Sequence, residues 1–244
     1  MTDLVERLVP DELWVLFRRV VPPTVVTRPQ GGGRRRTGDR EALAALIFVA
    51  TSGCTWRQLP PVFGPAWPTV YRRFVQWSRD RVWARLYRVI LDELGARGEL
   101  DWSRCAIDSV SLRAAKGPLT GLNPTDRGKL GSKVHLITDR NGLPLSLGIS
   151  GANMHDSLGL EPLVRGIPPI RSQPKDQRAN RKRRGSKGGR PTGFDSETYK
   201  RRNEVERTIN RLKNSRAVAT RYDKRAYAFH GTVTAAAVRL WLQS

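Results

Sequence analysis

Acidic residues are scarce in this chain. Its 244 residues include 22 Asp and Glu against 44 Lys and Arg, so the formal net charge is +22. So large a positive excess predicts a polyanionic partner, and nucleic acid is the commonest one. An anionic membrane is the rival partner, and the charge taken alone would also fit a general RNA-binding protein.

Cysteines and long apolar runs are scarce as well. Cys54 and Cys105 stand alone without a CxxC pair, which predicts reduced, buried side chains in a cytoplasmic protein and makes a zinc site improbable. No apolar run approaches the roughly 18 residues that a membrane span needs, and the chain does not start with a signal-peptide pattern. These absences predict no membrane partner and favour nucleic acid.

The first hundred residues show helical periodicity. The run from Ala42 to Ala50 is apolar nearly all round, which predicts a buried helix that Asp39 can cap. After a short turn, Pro68 opens another helix, whose apolar face carries Val70, Phe74 and Trp77. The two helices and the turn between them resemble a helix-turn-helix.

Three polar residues lie off that apolar face, namely Arg72, Arg73 and Gln76. Side chains of this kind can reach phosphates or base edges of DNA, so they predict a DNA-binding surface. The alternative is a generic helical bundle whose basic face is only solvated.

Strand patterns begin near residue 104. The run from Cys105 to Asp108 is short, apolar and ends in an acid. Two further apolar runs, 134–138 and 143–149, flank a turn at 139–142 that is typical of a β-hairpin. Asp156 can cap a short helix that follows. We therefore predict a mixed α/β chain, with a helical DNA-binding region over 1–98 and a second domain over 99–244.

A basic run occupies residues 171–190, with nine Lys and Arg and one acid. Its densest part is Arg181, Lys182, Arg183 and Arg184. Such a run is most often a solvated, disordered segment. In this chain it can also lie along a DNA backbone as a non-specific contact.

The long helix predicted from Asp195 to about Lys213 carries four spaced polar residues, Tyr199, Arg202, Glu206 and Lys213. At about 100° per residue they fall within roughly 60° of one another. An apolar stripe lies about 90° away from Glu206 and consists of Val205, Ile209 and Leu212. Glu204 points to the opposite side and should be solvated. A salt-bridged surface is the alternative interpretation.

This spacing resembles the signature around the final catalytic acid of DDE transposases from bacterial insertion sequences, in the group typified by insertion sequence five. The segment 106–114 resembles the first-aspartate motif of these proteins, and 219–224 resembles a later one. The resemblance covers nearly the whole chain. It implies an RNase H-like catalytic domain that cuts and rejoins DNA.

The resemblance also implies roles for single residues. Asp108 and Glu206 would be catalytic residues and ligands of Mg²⁺ or Mn²⁺, because cleavage of this kind uses two ions held by carboxylates. Arg202 and Lys213 would hold DNA phosphates. The implied partner is double-stranded DNA, both the element ends and the target, in a cytoplasmic, nucleoid-associated protein. A homodimer is left open.

One segment of the family pattern is missing. The family places a second aspartate at the end of a strand between the helix at Ser157 and the stretch at Asp176, but here 166–172 runs almost directly into 173–176. We therefore predict a truncated RNase H-like domain, inactive in this form, with an open sheet edge beside the first strand. The alternative is a non-catalytic DNA-binding remnant that occupies element ends.

We expect DNA binding to depend steeply on salt, because the positive charge should act by releasing counterions from phosphates. If the protein makes six to ten phosphate contacts, raising the salt concentration from about 50 to 200 mM should lower its affinity for DNA by roughly 10³- to 10⁵-fold. A filter-binding titration measures this dependence, and an affinity that does not change with salt would contradict it.

Overall fold

The computed structural model describes residues 2–23, 38–170 and 196–242. The described part of the first hundred residues is helical, as predicted. Its helices are α1 (Thr2–Leu8), α2 (Asp11–Val20), α3 (Asp39–Ser52), α4 (Trp67–Arg79) and α5 (Val82–Ala96). Short 3₁₀ turns at Trp56–Gln58 and Pro61–Phe63 lie between α3 and α4.

Strands begin at residue 106, close to the predicted change of pattern. They are β1 (Ala106–Ala114), β2 (Gly121–Leu122), β3 (Leu130–Thr138), β4 (Pro144–Gly151) and β5 (Thr220–Arg221). The remaining helices are α6 (Asp156–Arg165), α7 (Ser196–Lys213), α8 (Arg216–Ala219) and α9 (Ala226–Trp241). The described chain is therefore a mixed α/β structure.

The sheet is built around β3. It pairs antiparallel with β1 over residues 131–138 and antiparallel with β4 over 132–138, and the predicted hairpin turn at 139–142 joins it to β4. The short β5 pairs in parallel with the far end of β1, opposite Arg113 and Ala114. The strand order in the described chain is thus β4, β3, β1, β5, with β2 at the end of β3.

Helix α3 is buried over most of its length, as its apolar sequence predicts. The predicted cap, however, is wrong. Gly38 occupies the N-cap position with no capping side chain, and Asp39 is the first helical residue. The carboxylate of Asp39 instead pairs with the guanidinium of Arg73 on α4, at 3.0 Å. This ion pair joins the two helices.

Residues 53–66 connect α3 to α4 and include both 3₁₀ turns. A helix-turn-helix usually has a turn of three or four residues. The connection here is longer, so the resemblance of α3 and α4 to that motif stays a prediction. No helix in the described ranges is long and apolar enough to cross a membrane.

The carboxy-terminal helix α9 contacts both parts of the chain. It packs against α3, α4 and α5, and on another side against β4 and α7. The indole Nε1 of Trp241 donates a hydrogen bond to the carbonyl of Pro144 at 3.1 Å. One continuous core therefore includes the helical region and the sheet, and the predicted division after residue 98 stays a prediction.

The cysteines correct one expectation. Cys54 is half-buried, and Cys105 is exposed rather than buried. Cys105 immediately precedes Ala106, where the pairing of β1 with β3 begins, so it lies just outside the paired part of the sheet.

Arg221 on β5 is almost fully buried and holds several loops to the sheet. Its guanidinium donates to Ser132 Oγ at 2.6 Å and to the carbonyls of Leu119, Asp223 and Lys224. It also lies over the ring of Phe229, 5.2 Å from the centroid. The hydrogen bonds satisfy a charge that burial would otherwise make costly.

We expect Arg221→Met to lower the free energy of unfolding by about 2–4 kcal/mol, because it keeps the apolar stem but leaves buried acceptors unpaired. Lys224→Met, at an exposed position in the same loop, should change it by less than about 0.5 kcal/mol. Urea unfolding of both variants measures the difference. Equal stability of Arg221→Met and the unchanged protein would contradict the role of Arg221.

Candidate functional site

The two faces of the sheet carry different chemistry. Side chains alternate along a strand, so Asp108 shares one face with Val110 and Leu112, and Ser109 lies on the other. On the face of Asp108, the neighbouring positions of β3 are the buried Val134 and Leu136. This face is the apolar one.

Helix α7 lies on the face of Asp108. It contacts β1 and β3, and its predicted apolar stripe, Val205, Ile209 and Leu212, is buried. On the opposite face of β1, Ile107 is 48% exposed and Arg113 is exposed. A buried apolar stripe can therefore rest only on the side of Val110 and Leu112. Asp108 and α7 thus share one side of the sheet.

The hydroxyl of Thr208 fixes the rotation of α7. It donates to the carbonyl of Gly142 in the hairpin turn at 2.8 Å and to the carbonyl of Glu204 at 3.1 Å. Glu204 and Thr208 are one turn apart, so their flank faces the hairpin, and Glu204 is half-buried there rather than solvated. Glu206, about 200° around the helix, lies on the opposite flank and is exposed.

Asp108 is half-buried near the start of β1. Its Oδ1 accepts a hydrogen bond from the backbone N–H of Ser109 at 2.7 Å. On the edge of β1 away from β3, the described residues that pair with it are Thr220 and Arg221, beyond Asp108 at positions 113 and 114. In the described chain, the edge beside Asp108 has no strand partner.

Asp156 belongs to the opposite face. Its Oδ1 accepts from Ser109 Oγ at 2.7 Å and pairs with Lys133 Nζ at 2.9 Å, which lowers the pKa of this carboxyl. The prediction that Asp156 caps α6 is wrong. His155 is the N-cap, and its Nδ1 accepts from the backbone N–H of Ser157 at 3.3 Å. Asp156 instead holds the start of α6 to the sheet.

Asp139 lies in the hairpin turn, as the sequence predicts, and its side chain is buried there. Its carboxylate accepts from three backbone N–H groups, those of Asp101, Asn141 and Leu143. Burial nevertheless raises the pKa of Asp139, against the effect of these hydrogen bonds. This acid organises the turn.

The described residues contain no cluster of three or more acids, histidines or cysteines that could hold a metal ion. Of the two acids predicted to be catalytic, Asp108 lies on the apolar face of the sheet and Glu206 belongs to α7, the helix that packs on this face. Asp176 and Asp195 lie outside the described residues.

The predicted DNA-binding residues have different surroundings. Arg72 and Gln76 are exposed on α4, and Lys213 is exposed at the end of α7. Arg73 was expected on the same surface, but it is buried, where it pairs with Asp39 and donates to the carbonyl of Gly38 at 2.7 Å. The expectation that Arg73 faces a ligand is therefore wrong. The side chain of Arg202, and all of Arg181, Lys182, Arg183 and Arg184, lie outside the described part.

Two residues near Arg72 and Gln76 were not predicted from the sequence. Arg225 lines the same groove, and Tyr227 lies beside it. Both come from the start of α9, and no local pattern connects them to α4.

The sequence family described as "Transposase DDE domain" matches residues 102–241, which is more than half of the chain. The chain belongs to this family of DDE transposases. A second family, described as "Putative transposase of IS4/5 family", matches residues 9–87. The transposase is thus matched over both its helical region and its sheet-containing region.

Two relatives from Burkholderia cepacia are similar to parts of this transposase. The "Putative transposase for insertion sequence element IS402" is 38% identical over 130 residues, which cover 45% of this chain and 62% of that protein. The "Insertion element IS402 uncharacterized 16.2 kDa protein" is 38% identical over 108 residues, covering 44% of this chain and 74% of that protein. No solved structure matches the transposase. These relatives and both families identify it as the transposase of an insertion sequence.

The contacts of Asp156 predict a pH-dependent contribution to the stability of the transposase. Because its folded pKa is lowered, this contribution is present above the ordinary Asp pKa of about 3.9 and is lost as pH falls through the folded value. Asp156→Asn should cost up to about 1 kcal/mol at pH 7, since solvent screens this exposed pair.

Urea unfolding at neutral pH and at a pH below the folded pKa of Asp156 tests this contribution. The difference between the two proteins should vanish at the lower pH. Glu161→Gln, which removes only the exposed pair with Arg165, should show no such difference. Equal stability of Asp156→Asn and the unchanged protein at pH 7 would contradict it.

Proposed function

We propose that this transposase binds double-stranded DNA at the ends of its insertion element, and that it does not cut or join DNA in its present form. The observation that carries this proposal is the arrangement of its acids. Asp108 and the helix of Glu206 share one face of the sheet, whereas Asp156 is held on the other face by Ser109 and Lys133.

Asp108 and Glu206 are the proposed catalytic residues. The strand order runs β4, β3, β1, and the Glu204 flank of α7 faces the hairpin between β3 and β4. Glu206 therefore lies on the flank toward the β1 side, where Asp108 is. This geometry supports a role for Glu206 and not for Glu204.

The described residues do not fit a two-ion site. Phosphodiester cleavage in this family uses divalent metal ions, and a pair of ions needs several oxygen ligands fixed on both sides of one phosphate. Asp108 and Glu206 are two acids, and one oxygen of Asp108 already accepts a hydrogen bond from Ser109. We propose Mg²⁺ or Mn²⁺ as the ion of the complete family site.

A missing strand would explain both the incomplete set of acids and the unpaired edge of β1. A second aspartate at the end of a strand beside β1 would complete the acid set and would also pair with the edge of β1. The absence of a strand partner beside Asp108 in the described chain supports a truncated RNase H-like domain. In the sequence, 166–172 runs almost directly into 173–176, where the family places that strand, and this supports the truncation independently.

DNA binding does not depend on the absent segment. The net charge of +22 attracts a polyanion along the whole surface. Arg72, Gln76 and Lys213 are exposed and suited to contact phosphates or base edges, and we propose the same for Arg202 and the 181–184 segment. Nucleoid association would follow from such binding, and a homodimer stays a prediction.

A non-catalytic remnant is the second candidate function. Such a protein would occupy the element ends and compete there with an intact transposase. The same incomplete acid set favours it, since binding needs only the basic surface.

We expect the purified protein to produce neither nicks nor strand-transfer products from DNA that bears its element ends, with Mg²⁺ or Mn²⁺ supplied. A misplacement of about 1 Å can already cost roughly 10²-fold in rate, and a lost ligand is a larger defect. Gel analysis of labelled DNA measures the products, and gel retardation of the same samples should still show binding.

Two variants make this test decisive. Products that appear with the unchanged protein and disappear with both Asp108→Asn and Glu206→Gln would contradict the proposal. Such a result would point to a third ligand outside the described residues. Glu204→Gln is the matched control. It removes the same charge from the same helix, two residues from Glu206, but on the flank that faces the hairpin.

A further inference from the structure

An open groove lies between α4 and the start of α9. Its volume is about 410 Å³, and its lining residues are Tyr71, Arg72, Val75, Gln76, Arg79, Asp80 and Arg225. Arg72, Gln76, Arg79 and Arg225 are all exposed. Three guanidinium groups thus share one concave surface with one carboxylate, that of Asp80.

Two of these arginines meet at the hydroxyl of Tyr227. The Nε of Arg79 donates to Tyr227 Oη at 3.3 Å, and Nη1 of Arg225 donates to the same oxygen at 2.7 Å. Each guanidinium carbon also lies 5.9 Å from the centre of the Tyr227 ring. The phenol therefore holds two cations close together that would otherwise repel each other.

The three arginines of this groove have no ion-pair partner among the residues that the structure describes. Within the described ranges, Arg72, Arg79 and Arg225 form no salt bridge. Burial would raise the pKa of Tyr227, yet hydrogen bonds and positive charge from Arg79 and Arg225 lower it. The groove thus has a positive field that favours an anion.

We propose that Arg79 and Arg225, positioned by Tyr227, form a clamp that binds the phosphate backbone of double-stranded DNA. A guanidinium keeps several N–H donors after one is used on the phenol, and its fork geometry suits phosphate oxygens. Arg72 and Gln76 line the same groove and extend the contact along α4. The inference rests on the proposed DNA binding and names a site for it.

The clamp joins the two matched regions of the chain. Arg79 belongs to the region matched over 9–87, and Arg225 to the region matched over 102–241. Helix α9 also packs against β4 through Trp241. A DNA backbone held in the clamp would therefore have a defined position relative to the sheet that carries Asp108.

The test is fluorescence anisotropy of a short labelled DNA duplex over a salt series, with the full chain. The slope of log affinity against log salt is negative, and each lost phosphate contact lowers the magnitude of this slope by about 0.9. Arg79→Gln with Arg225→Gln should therefore lower it by about 1.8, and the affinity at about 100 mM salt should fall about 10- to 100-fold.

The matched control is Arg18→Gln with Arg19→Gln, two exposed arginines of α2 outside the groove. It removes the same charge and should leave the slope within about 0.5 of the unchanged protein. Tyr227→Phe keeps the ring and both cations but removes the acceptor. It should leave the slope unchanged and weaken binding about two- to tenfold, since one hydrogen-bonding group is lost.

The outcomes separate the two proposals. An equal fall in slope for the two double variants would overturn the clamp and leave general charge-driven DNA binding intact. An unchanged slope in the Arg79 and Arg225 variant would overturn it in the same way. No binding by the unchanged protein would overturn the proposed function as well. Unchanged melting temperatures of all variants exclude unfolding as the cause.

Discussion

Helix α9 is buried on nearly every side, and both halves of the transposase pack against it. Its close approach to α4 and α5 depends on Gly231, where a side-chain carbon would come within 3 Å of Ser78 Oγ and of the Trp83 ring. Trp83 and Ser78 are themselves joined by a hydrogen bond of 3.0 Å. At the other end of α9, Trp241 bonds to the start of β4. The relative position of α4 and the sheet follows from this one packed helix.

A second constraint is the alternation of side chains along β1. Neighbouring residues of a strand point to opposite faces, so Asp108 and Ser109 serve different partners. Ser109 binds Asp156 at the start of α6, while Asp108 lies on the side covered by α7. This separation puts Asp156 on the opposite face from Asp108, although Asp156 is bound by Ser109, the next residue along the strand.

The ion pair between Asp39 and Arg73 shows how packing reassigns charged residues. Helical spacing puts Arg72, Arg73 and Gln76 in one polar group, but α3 approaches α4 closely enough to bury the middle one. A buried guanidinium needs a partner, and Asp39 at the start of α3 supplies it. The neighbouring Arg72 remains exposed in the groove because no element of the described chain covers its side of α4.

Much of the candidate site could be predicted from local pattern. The spacing of Val205, Ile209 and Leu212 predicts which side of α7 is buried, and the motif around Asp108 predicts a strand that carries an acid. The sequence predicts that Asp156 caps α6, but Ser109 and Lys133, on strands far away in sequence, bind its carboxylate instead.

The sequence by itself determined the element types, the hairpin at 139–142, the basic character and the membership in the DDE transposase family. These depend on periodicity, turn residues and composition, which act over a few neighbouring positions. Only the tertiary structure decided that Arg73 is buried, that the Glu204 flank of α7 faces the hairpin at 139–142, and that Arg79 meets Tyr227 from 148 positions away. Such contacts arise from the packing of α9 and α7 against distant elements, and no local pattern in the chain encodes them.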